Sequence, residues 1–268
     1  MSRAYLLASR EGLHAVSRDG SRLLAEGRFF GVVCRGDTVF AFQNLAPDRE
    51  SDSETSGAIV GFTRDGDRLG GRRVLVEGLD HNCHQIDHFD GAFFVVDTFF
   101  QRILEYDEDW RPVASHQLLP PAGRSGPGHA HVNSIAGGGE TVRVLLHNGP
   151  RALPSEIVEY DRAFRERGRI VLPSPGCHDI ATLPDGRLLT CLSGEGEIAI
   201  VGGERFAIDQ HMTRGLVVGA REIAVGSSLF GARVQRAILP GFVTFLDHDF
   251  RQTGRVYVPA APTQMRAF

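Results

Sequence analysis

Residues 84–118 read HQIDHFDGAFFVVDTFFQRILEYDEDWRPVASHQL. A short strand ends in an Asp-Gly turn. An apolar run, AFFVVD, follows as a second strand. A polar corner leads to a third strand, RILEY, and a turn through DEDW leads to a fourth. Alternating and short continuous apolar runs bounded by Gly, Asp and Pro are strand and turn patterns. The same plan starts again at His131 with HVNSIAGGGETVRVLLHNG (131–149) and continues as SEIVEYDRAFRERGRIVL (155–172). It starts a third time at His178 with HDIATLPDGRLLTCLSGEGEIAIVGGERFAI (178–208). The phrases ILEYDEDW and IVEYDRAF are one strand and turn written twice. Starts at 84, 131 and 178 give a constant spacing, and a fixed period in this range marks a repeat architecture.

Two weaker units flank these. One runs FGVVCRGDTVFAFQN (30–44), GAIVGFTRDG (57–66) and RRVLVEG (72–78); the other runs RGLVVGAREIAVGSS (214–228) and FVTFLDHDFRQTGRVYVP (242–259). The first 28 residues supply only three strands, AYLLAS, GLHAVSRDG and SRLLAEG. The C-terminal TQMRAF (263–268) is one strand to spare. Joined, they complete a sixth unit. The expected fold is therefore all-β: a single domain over 1–268, a six-bladed β-propeller with four-stranded blades. Pairing of the N- and C-terminal strands in one blade closes it and removes the open edges of an array. Almost no helix is expected. The polar stretch NLAPDRESDSETSG (44–57) reads as a mobile loop within the first complete blade.

The phrase H-x-I…DG…FFVVDTFFQRILEYD (84–107) resembles an NHL-type propeller repeat. By extension the chain is similar to the broad six-bladed class that includes NHL proteins and the senescence marker protein/gluconolactonase-like enzymes. The resemblance implies the architecture. In the lactonase branch a divalent metal is held mainly by acidic and amide residues of the channel. That set does not stand at the corresponding positions here, so the resemblance carries over no catalytic residue.

Bulk properties narrow the partners. A net charge of −4 and a pI near 6.3 give no basic field for nucleic acid or anionic membrane. No apolar run is long enough to span a bilayer, and the N-terminus lacks an apolar signal core. Cys34, Cys83, Cys177 and Cys191 form no CxxC pair, so a disulfide framework is not expected. The expected address is cytoplasmic and the expected partner is a small-molecule substrate.

In a four-stranded blade, the start of the innermost strand and the corner after the second strand share one face of the disc. The strand starts are Phe30, His84, His131, His178, Arg214 and one of Gln264 or Met265. The corners include Gln43, Asp97, His147, Leu192 and Ser227. The long segments 44–57, 117–130 and 227–241 are expected on the same face, where sites are usually built. Pseudosymmetry aims His84, His131 and His178 at the axis. Three imidazoles without a carboxylate suit Zn²⁺ or Fe²⁺ best, with Cu²⁺ and Ni²⁺ also compatible, and leave positions open for water or substrate. A merely structural histidine would recur around the ring, and Phe30, Arg214 and Gln264 or Met265 break that recurrence.

Secondary candidates are His147, as fourth ligand or general base, and Arg214, to hold an anionic group or oxyanion. His81 and His129 are placed to ring the entrance. Asp97 reads as a turn residue, and Cys83 and Cys177 as small core residues between blades. Phe30, Phe99, Phe100 and Phe230 are candidates for an apolar wall. The expected function is a metal-dependent hydrolase or lyase on a small anionic carbonyl compound. The alternatives are a non-haem iron or copper oxygenase at the same three histidines, and a non-catalytic binding propeller.

Overall fold

The computed structural model describes residues 4–46, 55–122, 128–230 and 239–268. Six four-stranded antiparallel sheets are arranged as blades, and their innermost strands touch around a closed ring. The innermost strands are Arg28–Arg35 (blade 1), Ile86–Phe89 (blade 2), Val132–Gly138 (blade 3), His178–Thr182 (blade 4), Met212–Val218 (blade 5) and Pro262–Ala267 (blade 6). Blade 6 has the expected closure: Pro262–Ala267 pairs with Tyr5–Ser9, followed outward by Gly12–Ser17 and Gly20–Glu26. Two 3₁₀ turns, Gly149–Arg151 and Ser193–Glu195, are the helical elements among the described residues. None is long and apolar enough to cross a membrane.

The continuous apolar runs have a direct cause. Each inner sheet is covered on both faces by its neighbours, so both phases of the alternation are buried. In Ala92–Asp97 of blade 2, Phe93 and Val95 pack toward blade 1, while Phe94 and Val96 pack toward blade 3. One apolar cluster fills each of the six blade interfaces. Cys83 and Cys177 are buried in two of them, as expected, and burial pushes both thiols up in pKa.

The repeated EYD phrase also has a physical basis. Asp107 Oδ1 accepts the N–H groups of Asp109 and Arg111, and Asp161 Oδ1 accepts those of Ala163 and Arg165. A third copy went unread in the sequence: Asp247 Oδ1 accepts Asp249 and Arg251 N–H. Each turn ends on an aromatic residue with positive φ, namely Trp110 (63°), Phe164 (54°) and Phe250 (62°).

The inner strands are irregular at one height. Pairing shifts between Phe29 and Val32, Val132 and Ser134, His178 and Ala181, and Thr213 and Leu216. These bulges free backbone N–H groups that side chains of the preceding blade then bind. Gln264 Oε1 accepts Val32 N–H (2.6 Å), Gln85 Oε1 accepts Ile135 N–H (2.7 Å), and Asp179 Oδ2 accepts Gly215 N–H (2.8 Å). The blades are thus stitched to one another at the channel wall.

Candidate functional site

The sequence reading treated His131 and His178 as equivalent. The structure sets them two residues out of register: His178 stands two residues before Ile180, and His131 four before the equivalent Ile135. His178 pairs within its strand against Cys191. His131 lies just ahead of Val132–Gly138, has φ of 56°, and accepts His147 N–H on its carbonyl. A positive φ at a non-glycine residue is uncommon and tends to occur at functional positions.

The consequence is an arc of four imidazoles. Ring centroids are 4.7 Å apart for His84–His131, 4.7 Å for His131–His147 and 4.9 Å for His147–His178. His147, from the corner of blade 3, lies between the histidines of blades 3 and 4. His129 extends the arc, 5.6 Å from His131. Phe30 flanks its other end, 6.3 Å from His84. Among the described residues no group of three or more His, Cys, Asp or Glu side chains is arranged to hold a metal ion. The strand starts converge as expected, but in a row along the wall rather than around a point.

Hydrogen bonds fix most of the tautomers. His84 Nδ1–H donates to the carbonyl of Asn82 (2.6 Å). His178 Nδ1–H is shared between the Gly176 carbonyl (3.0 Å) and Ser193 Oγ (2.8 Å). Both imidazoles therefore carry their lone pair on Nε2, the tautomer that backbone carbonyls give to ligating histidines. His147 is set the other way. Its Nδ1 accepts Gly149 N–H (3.1 Å), so in the neutral ring Nε2 carries the proton. The ring packs so tightly on Gly149 that a Cβ there would lie 2.5 Å from His147 Cε1. His131 Nε2 stands 3.1 Å from the bare Nε2 of His84 and donates to it.

Burial, then the neighbouring His84, His147 and His129 and Arg214, hold His131 well below the usual imidazole range. Burial and then Arg214 do the same to His178, with His147, His131 and His84 adding to it. Arg214 thus faces the histidines from blade 5. Just inside the mouth, His84, Gln85, Asn133, Ser134, His178, Asp179, Arg214, Thr263 and Gln264 line one narrow pocket contributed by five blades. Of the two residues left open at blade 6, Gln264 faces this pocket, while Met265 is buried between blades 5 and 6.

Other candidates fall elsewhere. His81 is buried, and its Nε2 accepts from Asn82 Nδ2 (2.9 Å). Asp97 is a turn residue, paired with Arg102 at 2.8 Å and accepting Phe100 N–H. Phe99 and Phe100 contact each other and are half-buried, and Phe230 is exposed. Residues 47–54, 123–127 and 231–238 of the three long segments lie outside the described residues, so the loop reading at 44–57 rests largely there. The sequence reading missed the pocket below the arc. Its residues, Asn133, Ser134, Asp179 and Gln264, follow the strand starts by one to three positions. Only the bulges turn them inward.

No protein-family model matches the chain, and no curated protein matches it in sequence. Solved structures share its fold. A Bacteroides caccae protein of unknown function superposes with a TM-score of 0.65 at 13% identity, over 99% of this chain and 98% of that one. A Bacteroides fragilis protein provisionally described as a 6-phosphogluconolactonase gives 0.59 at 10% identity, over 100% and 98%. Virginiamycin B lyase from Staphylococcus aureus gives 0.56 at 13% identity, over 96% and 84%. At these identities the likeness establishes the six-bladed propeller and nothing finer.

Proposed function

We propose that the chain is an enzyme of hydrolase or lyase type acting on a small anionic carbonyl compound at the histidine arc. The observation that carries this is the opposed tautomers of adjacent imidazoles. His178 carries its lone pair on Nε2, whereas His147 beside it carries its proton there. In this reading His147 Nε2–H is the general acid, delivering a proton to the oxygen or carbon that gains charge as a bond breaks. Arg214 holds the substrate's anionic group.

His84, His131 and His178 are the residues that would hold a divalent metal, Zn²⁺ or Fe²⁺ before Cu²⁺ or Ni²⁺. Nitrogens sharing a tetrahedral zinc lie about 3.3 Å apart, given Zn–N near 2.0–2.1 Å. The 3.1 Å between the Nε2 atoms of His84 and His131 is close to this, whereas His178 would have to swing past His147. Such an ion supplies Lewis-acid polarisation of a carbonyl oxygen. With iron or copper, the same site becomes that of an oxygenase or oxidase. A lyase and a provisionally named lactonase among the fold neighbours agree with the reading at the level of scaffold.

The test is metal content of untagged protein by mass spectrometry, beside a His84→Ala, His131→Ala, His178→Ala variant. About one equivalent of a transition metal, lost in a variant that still folds, is the expected result. Its identity chooses hydrolytic or oxidative chemistry. No metal in either protein overturns the metal-dependent form.

A further inference from the structure

We infer that the pocket below the arc binds the carboxylate of a small organic acid, with Asn133 and Gln264 as the residues that recognise it. This rests on the reading of the mouth as a substrate site and gives the substrate's class.

Both side chains are almost wholly buried, at 3% and 2% exposure, and both line the same pocket. Gln264 Oε1 accepts Val32 N–H, which fixes the amide and leaves Nε2 as a donor on the pocket side. Asn133 is fixed by a relay. Ser134 Oγ accepts Asp179 N–H (3.1 Å) and gives its own proton to Asn133 Oδ1 (2.8 Å). Asn133 Nδ2 and Gln264 Nε2 are buried with no hydrogen-bond partner among the described residues. A buried donor without an acceptor is costly, and native proteins rarely keep one without a reason.

Here two such donors stand on blades 3 and 6, opposite one another in a ring of six, with the Arg214 guanidinium between them on blade 5. The other polar groups of the pocket are already used. Gln85 makes both its bonds to Ile135, and Thr263 Oγ1 donates to the carbonyls of Ala8 and Phe29. Asp179 is the one carboxyl of the lining. Its Oδ2 accepts Gly215 N–H. Unfilled N–H donors plus a guanidinium favour an acceptor with negative charge. The two oxygens of a carboxylate can meet donors from opposite walls.

The experiment uses full-length, chelator-treated protein, labelled with ¹⁵N and titrated with acetate, formate and the neutral isostere acetamide. The side-chain NH₂ signals of Asn133 and Gln264, assigned from Asn133→Asp and Gln264→Glu, are followed by NMR. Each variant keeps the oxygen that its neighbour needs, so the inter-blade bonds survive. The expected result is saturable shifts of both signals with acetate and formate but not acetamide, and affinity at least tenfold weaker in each variant. Absence of saturable shifts, equal response to acetamide, or wild-type affinity in both variants overturns the inference and leaves a water-filled channel. If a variant does not fold, the wild-type shifts decide. Because no metal is present, carboxylate binding survives failure of the metal reading, and a metal-loaded protein that ignores carboxylates fails this inference alone.

Discussion

His14 and His178 are both buried, and burial holds both imidazoles below the ordinary value, yet they are opposite cases. His14 lies in Gly12–Ser17 of blade 6, two residues from Val16 and on the face packed against blade 5. Neither of its ring nitrogens has a hydrogen-bond partner, and desolvation is the whole cause of its shift. His178 has Nδ1 engaged twice, and its shift is deepened by Arg214 and three other histidines. A depressed pKa alone therefore does not mark a site. What distinguishes the mouth is that fixed tautomers and neighbouring charges of one kind accumulate there. The interfaces are apolar and hold the ring together; the mouth is polar and carries the candidate site.

The strongest way to break this division is Phe94→Ala. Phe94 is fully buried between blades 2 and 3 and stacks on Phe89 at 4.2 Å. Loss of the ring should lower unfolding stability by about 3–5 kcal/mol, read from the urea midpoint. The folded fraction should still bind at the mouth; loss of binding in that fraction would show the two regions to be coupled.

Gln85→Leu tests the channel wall. It removes both bonds to Ile135 and leaves that residue's buried N–H without a partner, at a cost of about 1–3 kcal/mol. A neutral result in urea denaturation would mean that water replaces the stitch.

The smallest effect is that of His14→Leu, and it is read in pH. The native pKa of His14 lies below the unfolded value near 6.5, so the unfolded chain takes up the proton first. Its contribution is complete above about 6.5 and is lost as pH falls through the lowered native value. The leucine variant should be at least as stable at pH 7.5 and should lose less stability on acidification. An unchanged acid slope would assign the sensitivity to the mouth instead.

The fold was legible because it rests on local signals. Turns such as Asp161–Arg165 use a side chain of the same segment and recur in the sequence as one phrase. Runs such as AFFVVD announce a strand covered on both faces. The site was legible only to the position. The strand starts identified His84, His131, His178 and Arg214, and the corner identified His147. Their order along the wall did not follow, because the 47-residue spacing of the histidines hides a two-residue offset of His131 from its own strand. His81 shows the same limit, being three residues from His84 yet paired with Asn82.

By itself the sequence determined the number of blades, the closure through both termini and the scarcity of helix among the described residues, since period-2 apolarity and turn residues act over a few positions. Only the tertiary structure decided which imidazole nitrogen is bare, that His147 stands between His131 and His178, and that Asn133 and Gln264 share a pocket. Those facts depend on hydrogen bonds and distances between separate blades. Blades 3 and 6 are more than a hundred residues apart in the chain and meet only where the ring closes on its axis.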